Sequence, residues 1–272
     1  MNKLEKNMVE ILSDLKANYN VAGGKAEFEA EGTRLEEALR LKEVVSRAGI
    51  DLAIKIGGCE AIKDMYDAKT IGVNKIIAPM IETAYALKKY IQATHFVYPQ
   101  EEYNEVKFMI NLETITGFKN MNEMLAIPEA KDLCGFVLGR VDMTGSMGLT
   151  REDINSDKIL EIAKEIGAAS LKAKKLMTIG GGVSIHSLPF FQALPAGSLN
   201  YFETRKVIFD AQKAMKNPKI KEGILKAVGF ELMWLKNKRD FYGMIYKEDE
   251  TRITMLESRY KKLIEEVGGK YE

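Results

Sequence analysis

The sequence predicts a single α/β domain closed as a (β/α)8 (TIM) barrel, with an N-terminal helix before it and a helical extension after it. Three observations carry this. Short apolar runs of strand length alternate with amphipathic helical patterns along most of the chain. Eight such strand–helix units can be counted, joined by short loops, as parallel strands with crossover helices require. The length, 272 residues, is one that α/β barrels fill as one domain. An open doubly wound sheet is the alternative, and the number of units favours closure.

The elements follow in order. A helix over about 2–19 places Leu4, Met8, Ile11, Leu12 and Leu15 on one face. A strand at 24–31 leads to a charged helix at 34–48 that Gly49 ends. Asp51–Ile56 and a helix over 60–71 come next, then Lys75–Met80 and a helix over 82–93. His95–Tyr98 is a short, irregular strand candidate and the weakest of the eight. Strand 106–113 precedes helix 117–126, and strand 134–139 leads through a Gly-rich loop to helix 156–173. Lys175–Ile179 runs into Gly180-Gly181-Gly182 and a helix over 184–193, and Ser198–Phe202 into a helix over 204–216. The barrel is thus expected over 1–217. Residues 218–272 read as all helix, with Ile253, Leu256, Tyr260, Leu263 and Val267 recurring three and four apart. Packing on its own barrel and exchange onto a neighbouring subunit both fit that stripe.

Composition removes several function classes. Forty basic residues stand against thirty-nine acidic ones, a net charge of +1, so no bulk field draws nucleic acid or an anionic membrane. Two cysteines, Cys59 and Cys134, supply neither a disulfide framework nor zinc-ligand spacing, which points to a reducing, cytoplasmic setting. The first residues carry both charge signs and do not read as a signal peptide. No apolar run reaches the ~20 residues of a membrane span.

Two carboxylates hold the chemical information. Glu113 ends the run Val106–Leu112, and Asp142 follows Cys134–Gly139 just before the Gly145–Gly148 turn. An acid at the C-terminal end of a buried strand sits where α/β proteins build their sites. Two on nearby strand ends suit a hard divalent cation. Ordinary solvent-facing strand-end acids are the competing explanation.

Ile81-Glu82-Thr83, Asn111-Leu112-Glu113-Thr114 and Leu138-Gly139-Arg140-Val141-Asp142-Met143-Thr144-Gly145-Ser146-Met147-Gly148 resemble consecutive blocks of the HpcH/HpaI aldolase and citrate lyase beta-subunit family. The register holds from about 25 to 205. The resemblance implies Mg2+ or Mn2+ on the glutamate after the fifth strand and the aspartate after the sixth, that is, Glu113 and Asp142. It also implies that the metal chelates a pyruvate-type or oxaloacetate-type group. Lys55 falls where the family carries a substrate-facing arginine, a change that keeps the charge but loses the bidentate fork. A Schiff-base role for Lys55 is the lesser option. Glu29 and Glu31 lie in the acidic run after the first strand, and Gly32 stands where the aldolase branch has its histidine base.

With that histidine absent, Glu31 and His186 are the candidates for base, and His95 a weaker one. A lone histidine is more often a surface or capping residue. Gly180, Gly181 and Gly182 fit either backbone amides around an anion, with Ser184 capping the next helix, or a tight connection needing positive φ. Gly57-Gly58 likewise opens room above the barrel.

The resemblance, together with these residues, implies a metal-dependent carbon–carbon lyase of retro-aldol or Claisen type. Glu113 and Asp142 are expected to hold the metal, Lys55 to neutralise enolate charge, and Glu31 or His186 to move a proton. Backbone amides around Gly139, Arg140, Thr144, Gly145 and Ser146, together with those of Gly180 and Gly181, are expected to hold the substrate. That substrate is a small keto-acid, sugar-acid or acyl-CoA, and the chain is expected to form a homo-oligomer. A barrel acting on a phosphorylated substrate in another reaction class, and a barrel reduced to a binding subunit, are the alternatives.

Overall fold

The computed structural model describes residues 1–270. They divide into two compact units, 1–231 and 232 onward. The first unit is a closed eight-stranded barrel with strands in sequence order: β1 (Val21–Glu27), β2 (Asp51–Lys55), β3 (Lys75–Ala78), β4 (Lys107–Leu112), β5 (Gly135–Gly139), β6 (Leu176–Gly180), β7 (Tyr201–Glu203) and β8 (Val207–Asp210). Period-two alternation sends Ala53, Ile77, Met109, Val137 and Ile208 inward as the central apolar layer. The helix Lys3–Tyr19 precedes the barrel, its Asn2–Glu5 capping box satisfying the first turn and Met8, Leu12 and Leu15 fully buried.

The closed barrel is as predicted, but two strands differ from the sequence reading. The fourth strand candidate, His95–Tyr98, is the end of helix Ala84–Val97 and the residue after it. Leu87, Tyr90, Ile91, Thr94 and Val97 are all buried, so the helical period carries on through the segment expected to be a strand. Glu113 and Asp142 therefore follow β4 and β5 rather than a fifth and sixth strand. The missing strand is Val207–Asp210, read in sequence as the start of a helix.

β8 runs antiparallel to both β7 and β1, whereas the other neighbouring pairs are parallel. Only Thr204–Lys206 separate β7 from β8, and a parallel crossover needs roughly a dozen residues. Thr204 closes the turn: its amide donates to the Val207 carbonyl at 2.9 Å and its Oγ1 accepts from the Val207 amide at 3.2 Å. The reversal brings Arg205 and Lys206 to the mouth formed by the C-terminal ends of the other strands. β1 begins at Val21 because Asn20, in the left-handed region at φ 61°, ends the first helix and turns straight into the sheet.

The C-terminal helix spans Ile220–Glu266. Its first turns belong to the barrel unit and bury Ile224, Ala227 and Phe230. The second unit carries the rest of that helix. Among the described residues, no helix is long and apolar enough to cross a membrane.

Candidate active site at the barrel mouth

The inward positions change from apolar to charged at the top of the barrel. β1 contributes Lys25 and Glu27, β2 Lys55, β4 Asn111 with Glu113 just beyond, and β7 Glu203, all buried. Charges withdrawn from water must be paired. The Lys25 ammonium lies 2.5 Å from Glu203 Oε1 and 2.9 Å from Glu27 Oε1. Burial disfavours its charge, but the two carboxylates outweigh that and raise its pKa above the ordinary lysine value. Glu27 is pushed up by burial, yet Lys25, Lys55 and Arg205 overcome this and hold it below the usual carboxylate range.

Register places Glu27 beside Lys55 on the neighbouring strand. The Lys55 ammonium pairs with Glu29 Oε2 at 2.7 Å and lies 4.0 Å from Glu113 Oε2. Burial lowers its pKa, and the fields of Glu113 and Glu27 together with the Glu29 contact more than reverse this. Lys55 is therefore a fixed cation, unsuited to act as a free amine nucleophile.

Glu113 is 2 % exposed. Its Oε1 accepts from the Met80 amide at 3.0 Å and its Oε2 from Asn111 Nδ2 at 2.6 Å. Burial raises its pKa against Lys55 and these two donors, and the nearby Asp142 charge adds to the rise. Asp142 stands in the first turn of the helix Arg140–Ser146 and lines the same cleft, whose volume is about 310 Å³. Gly139 leaves room for the Glu113 carboxylate: a Cβ there would come within 2.7 Å of Glu113 Oε2.

These residues fit a magnesium- or manganese-type ion. The donors are oxygens only, two carboxylates facing one cleft, and the Asn111 Oδ1 that also lines it is buried with no hydrogen-bond partner among the described residues. No cluster of three or more His, Cys, Asp or Glu side chains suited to a metal occurs among the described residues. A two-carboxylate site leaves the remaining positions to water and substrate, the usual magnesium arrangement.

Comparison with known proteins decides the family. The HpcH/HpaI aldolase/citrate lyase family model matches residues 34–183, more than half of the chain. The chain belongs to the HpcH/HpaI aldolase/citrate lyase family. It is accordingly a carbon–carbon lyase. Solved structures agree on the fold. An HpcH/HpaI aldolase/citrate lyase family protein from Burkholderia cenocepacia J2315 superposes with a TM-score of 0.56 at 15% identity, over 68% of this chain and 79% of that one. The HpcH/HpaI aldolase from Desulfitobacterium hafniense DCB-2 gives 0.57 at 12% identity, over 73% and 82%. The citrate synthase SbnG gives 0.59 at 15% identity, over 86% and 90%. No curated protein matches the sequence.

In this HpcH/HpaI-family barrel the sequence-derived residues divide into two groups. Lys55, Glu113, Asp142, Gly139, Gly180 and Gly181 line the mouth cleft. Arg140 does not. Its guanidinium is fully buried, donating to the carbonyls of Gly180 and Gly181 at 3.1 Å each, to Asn155 Oδ1 at 2.6 Å and to Ser187 Oγ at 3.1 Å. It fastens the β6 loop to the helix after β5, and burial drops its pKa to about 10. Thr144 and Ser146 spend their hydroxyls on the Val141 and Met143 carbonyls, and Ser146 Oγ also accepts from the Ile115 amide. They and the exposed Gly145 lie outside the cleft lining.

The two proposed bases fare similarly. His186 is exposed and borders a different cavity, with Pro189, Lys216 and Asn217. The triple glycine turns the chain away from the mouth before His186 is reached. Glu31 is ion-paired to Lys206 and lies 3.7 Å from Arg205, so cations occupy both oxygens. Gly32 adopts φ 54° in the turn that carries these acids, a backbone demand that suits glycine rather than histidine. His95 stacks on Tyr103 and pairs with Asp132 on the outside of the barrel.

Gly181 has a packing explanation of its own. With φ at 75°, its backbone lies against the Arg140 and Val141 amides, where a Cβ would approach to 2.6 Å. Sequence reasoning passed over Lys25, Glu203, Arg205 and Glu231, all of which line the cleft. Lys25 alone carried a signal, as a charge inside the apolar run Val21–Ala26. Arg205 was hidden by reading residues 204–216 as a helix, and Glu203 fell in the gap between that helix and the strand expected at 198–202.

Proposed function

We propose that this lyase uses Mg2+ or Mn2+ held by Glu113 and Asp142 to cleave or form a carbon–carbon bond beside the carbonyl of a keto-acid or acyl substrate. The observation that carries the reading is one cleft lined by both carboxylates, with the fixed Lys55 ammonium 4.0 Å from Glu113. When bound, the cation supplies Lewis-acid polarisation of the substrate carbonyl. Lys55, buried in the cleft wall, places a second positive charge where enolate charge develops. Its neighbours hold it protonated, so it acts by charge rather than by proton abstraction. The backbone at Gly139, Gly180 and Gly181 borders the same space and offers polar groups to the substrate carboxylate.

The proton acceptor for the substrate hydroxyl is assigned to Glu231. It lines the cleft, and burial raises its pKa above the ordinary glutamate value despite Arg205 at 3.9 Å. The two free cysteines suit work in a reducing compartment. Incubation with pyruvate-releasing hydroxy-keto acids, with and without added Mg2+ or Mn2+, tests the assignment. Metal-dependent pyruvate release supports it, and turnover unaffected by exhaustive chelation contradicts it.

A further inference from the structure

We infer that residues 232–256 form an antiparallel helix–helix contact with the same segment of a second copy of this chain. The segment is one continuous stretch of the C-terminal helix, roughly 37 Å long at 1.5 Å per residue. Leu232, Leu235, Tyr246, Ile253 and Leu256 are all 49–66% exposed. Counted three and four apart from Leu232 to Leu256, these residues fall on one stripe, with Tyr242 also on it. A stripe that apolar and that exposed is a surface for another protein.

Two charges interrupt it, Arg239 and Asp249, and they select the occupant. In a parallel pair of copies each stripe residue faces its own counterpart, which sets Arg239 against Arg239 and Asp249 against Asp249. In an antiparallel pair centred near Met244, Arg239 faces Asp249 of the second copy, twice over by symmetry. The same register sets Leu232 against Leu256, Leu235 against Ile253, and Tyr242 against Tyr246. Every layer is then apolar on apolar or cation on anion. At the edges Lys236 meets Glu250 of the second copy, while Lys238 approaches Arg252, whose charge Glu248 already neutralises within its own chain.

The isolated chain leaves both charges available. Arg239 pairs with the adjacent Asp240, at 2.7 Å and largely in solvent. Asp249 has no ion-pair partner among the described residues. An isologous interface of this kind closes as a dimer.

Sedimentation velocity on the full chain, with helicity followed by circular dichroism, tests the register. The wild type should sediment as a dimer or an even multiple of it. Arg239→Asp sets like charges in two layers and should raise the dissociation constant on the order of 100-fold. The double variant Arg239→Asp with Asp249→Arg should restore it to within a few-fold of wild type. A monomeric wild type, an assembly indifferent to Arg239→Asp, or a double variant as weak as the single one each overturns the inference.

Discussion

The Lys55 ammonium lies 4.0 Å from the Glu113 carboxylate, and each sets the charge of the other. Glu113 helps keep Lys55 protonated against burial, and Lys55 opposes the rise that burial imposes on Glu113. Replacing the lysine should therefore act on turnover through lost charge. Lys55→Met is expected to retain metal but lose on the order of 10²–10³-fold in kcat for a pyruvate-releasing substrate, the scale of a lost oxyanion donor. Lys55→Arg should keep more activity than Met. Steady-state kinetics with metal in excess checks this, and equal turnover of Met and wild type would make Lys55 structural.

Lys25 should matter chiefly for stability. It is bracketed by Glu27 and Glu203, so Lys25→Met leaves two buried carboxylates without their cation. The expected cost is about 3–5 kcal/mol, read as a shift of the urea midpoint at unchanged m-value. A midpoint within error of wild type would show that the mouth relaxes and hydrates without this pair.

Acid sensitivity follows from Glu27. Its folded pKa is depressed below the unfolded carboxylate value, because Lys25, Lys55 and Arg205 outweigh burial. The stabilisation is therefore complete above the unfolded pKa, near 4.3 for a glutamate, and is lost as pH falls from there through the folded value. Glu27→Gln should flatten the loss of stability between about pH 5 and pH 3 relative to wild type. Parallel stability–pH curves for the two proteins would contradict the assignment.

His186 sits on a separate surface from the mouth cleft. His186→Ala should leave kcat/KM and its pH profile unchanged and stability within about 0.5 kcal/mol. A large drop in kcat would restore it as a catalytic residue and contradict the geometry described above.

Much of this was legible in sequence because burial writes itself into pattern. β2, β4, β5 and β6 are continuous apolar runs, and Lys55, Glu113 and Asp142 stand out as the charges that end or follow three of them. What escaped depended on tertiary pairing. Val207–Asp210 is too short to announce itself, and only its ladder to Phe202 and to β1 makes it a strand. Arg140 entered the sequence reading only through its backbone amide, and its guanidinium clamp was not legible because three of its acceptors lie forty and more residues away in sequence. The exposed stripe from Leu232 to Leu256 was interrupted by Arg239 and Asp249, so only the later heptads beyond Ile253 were visible as a repeat.

The central claim is that Glu113 and Asp142 together bind the catalytic cation, and calorimetric titration of Mn2+ into metal-free protein tests it most directly. Wild type should bind one ion per chain, and Glu113→Gln and Asp142→Ala should each lose at least about 100-fold in affinity, more than an outer-shell change costs. Asp142→Ala should keep its circular dichroism and metal-free stability, since removing one of two neighbouring carboxylates relieves like-charge repulsion. Equal Mn2+ affinity in the wild type and both variants would contradict the account.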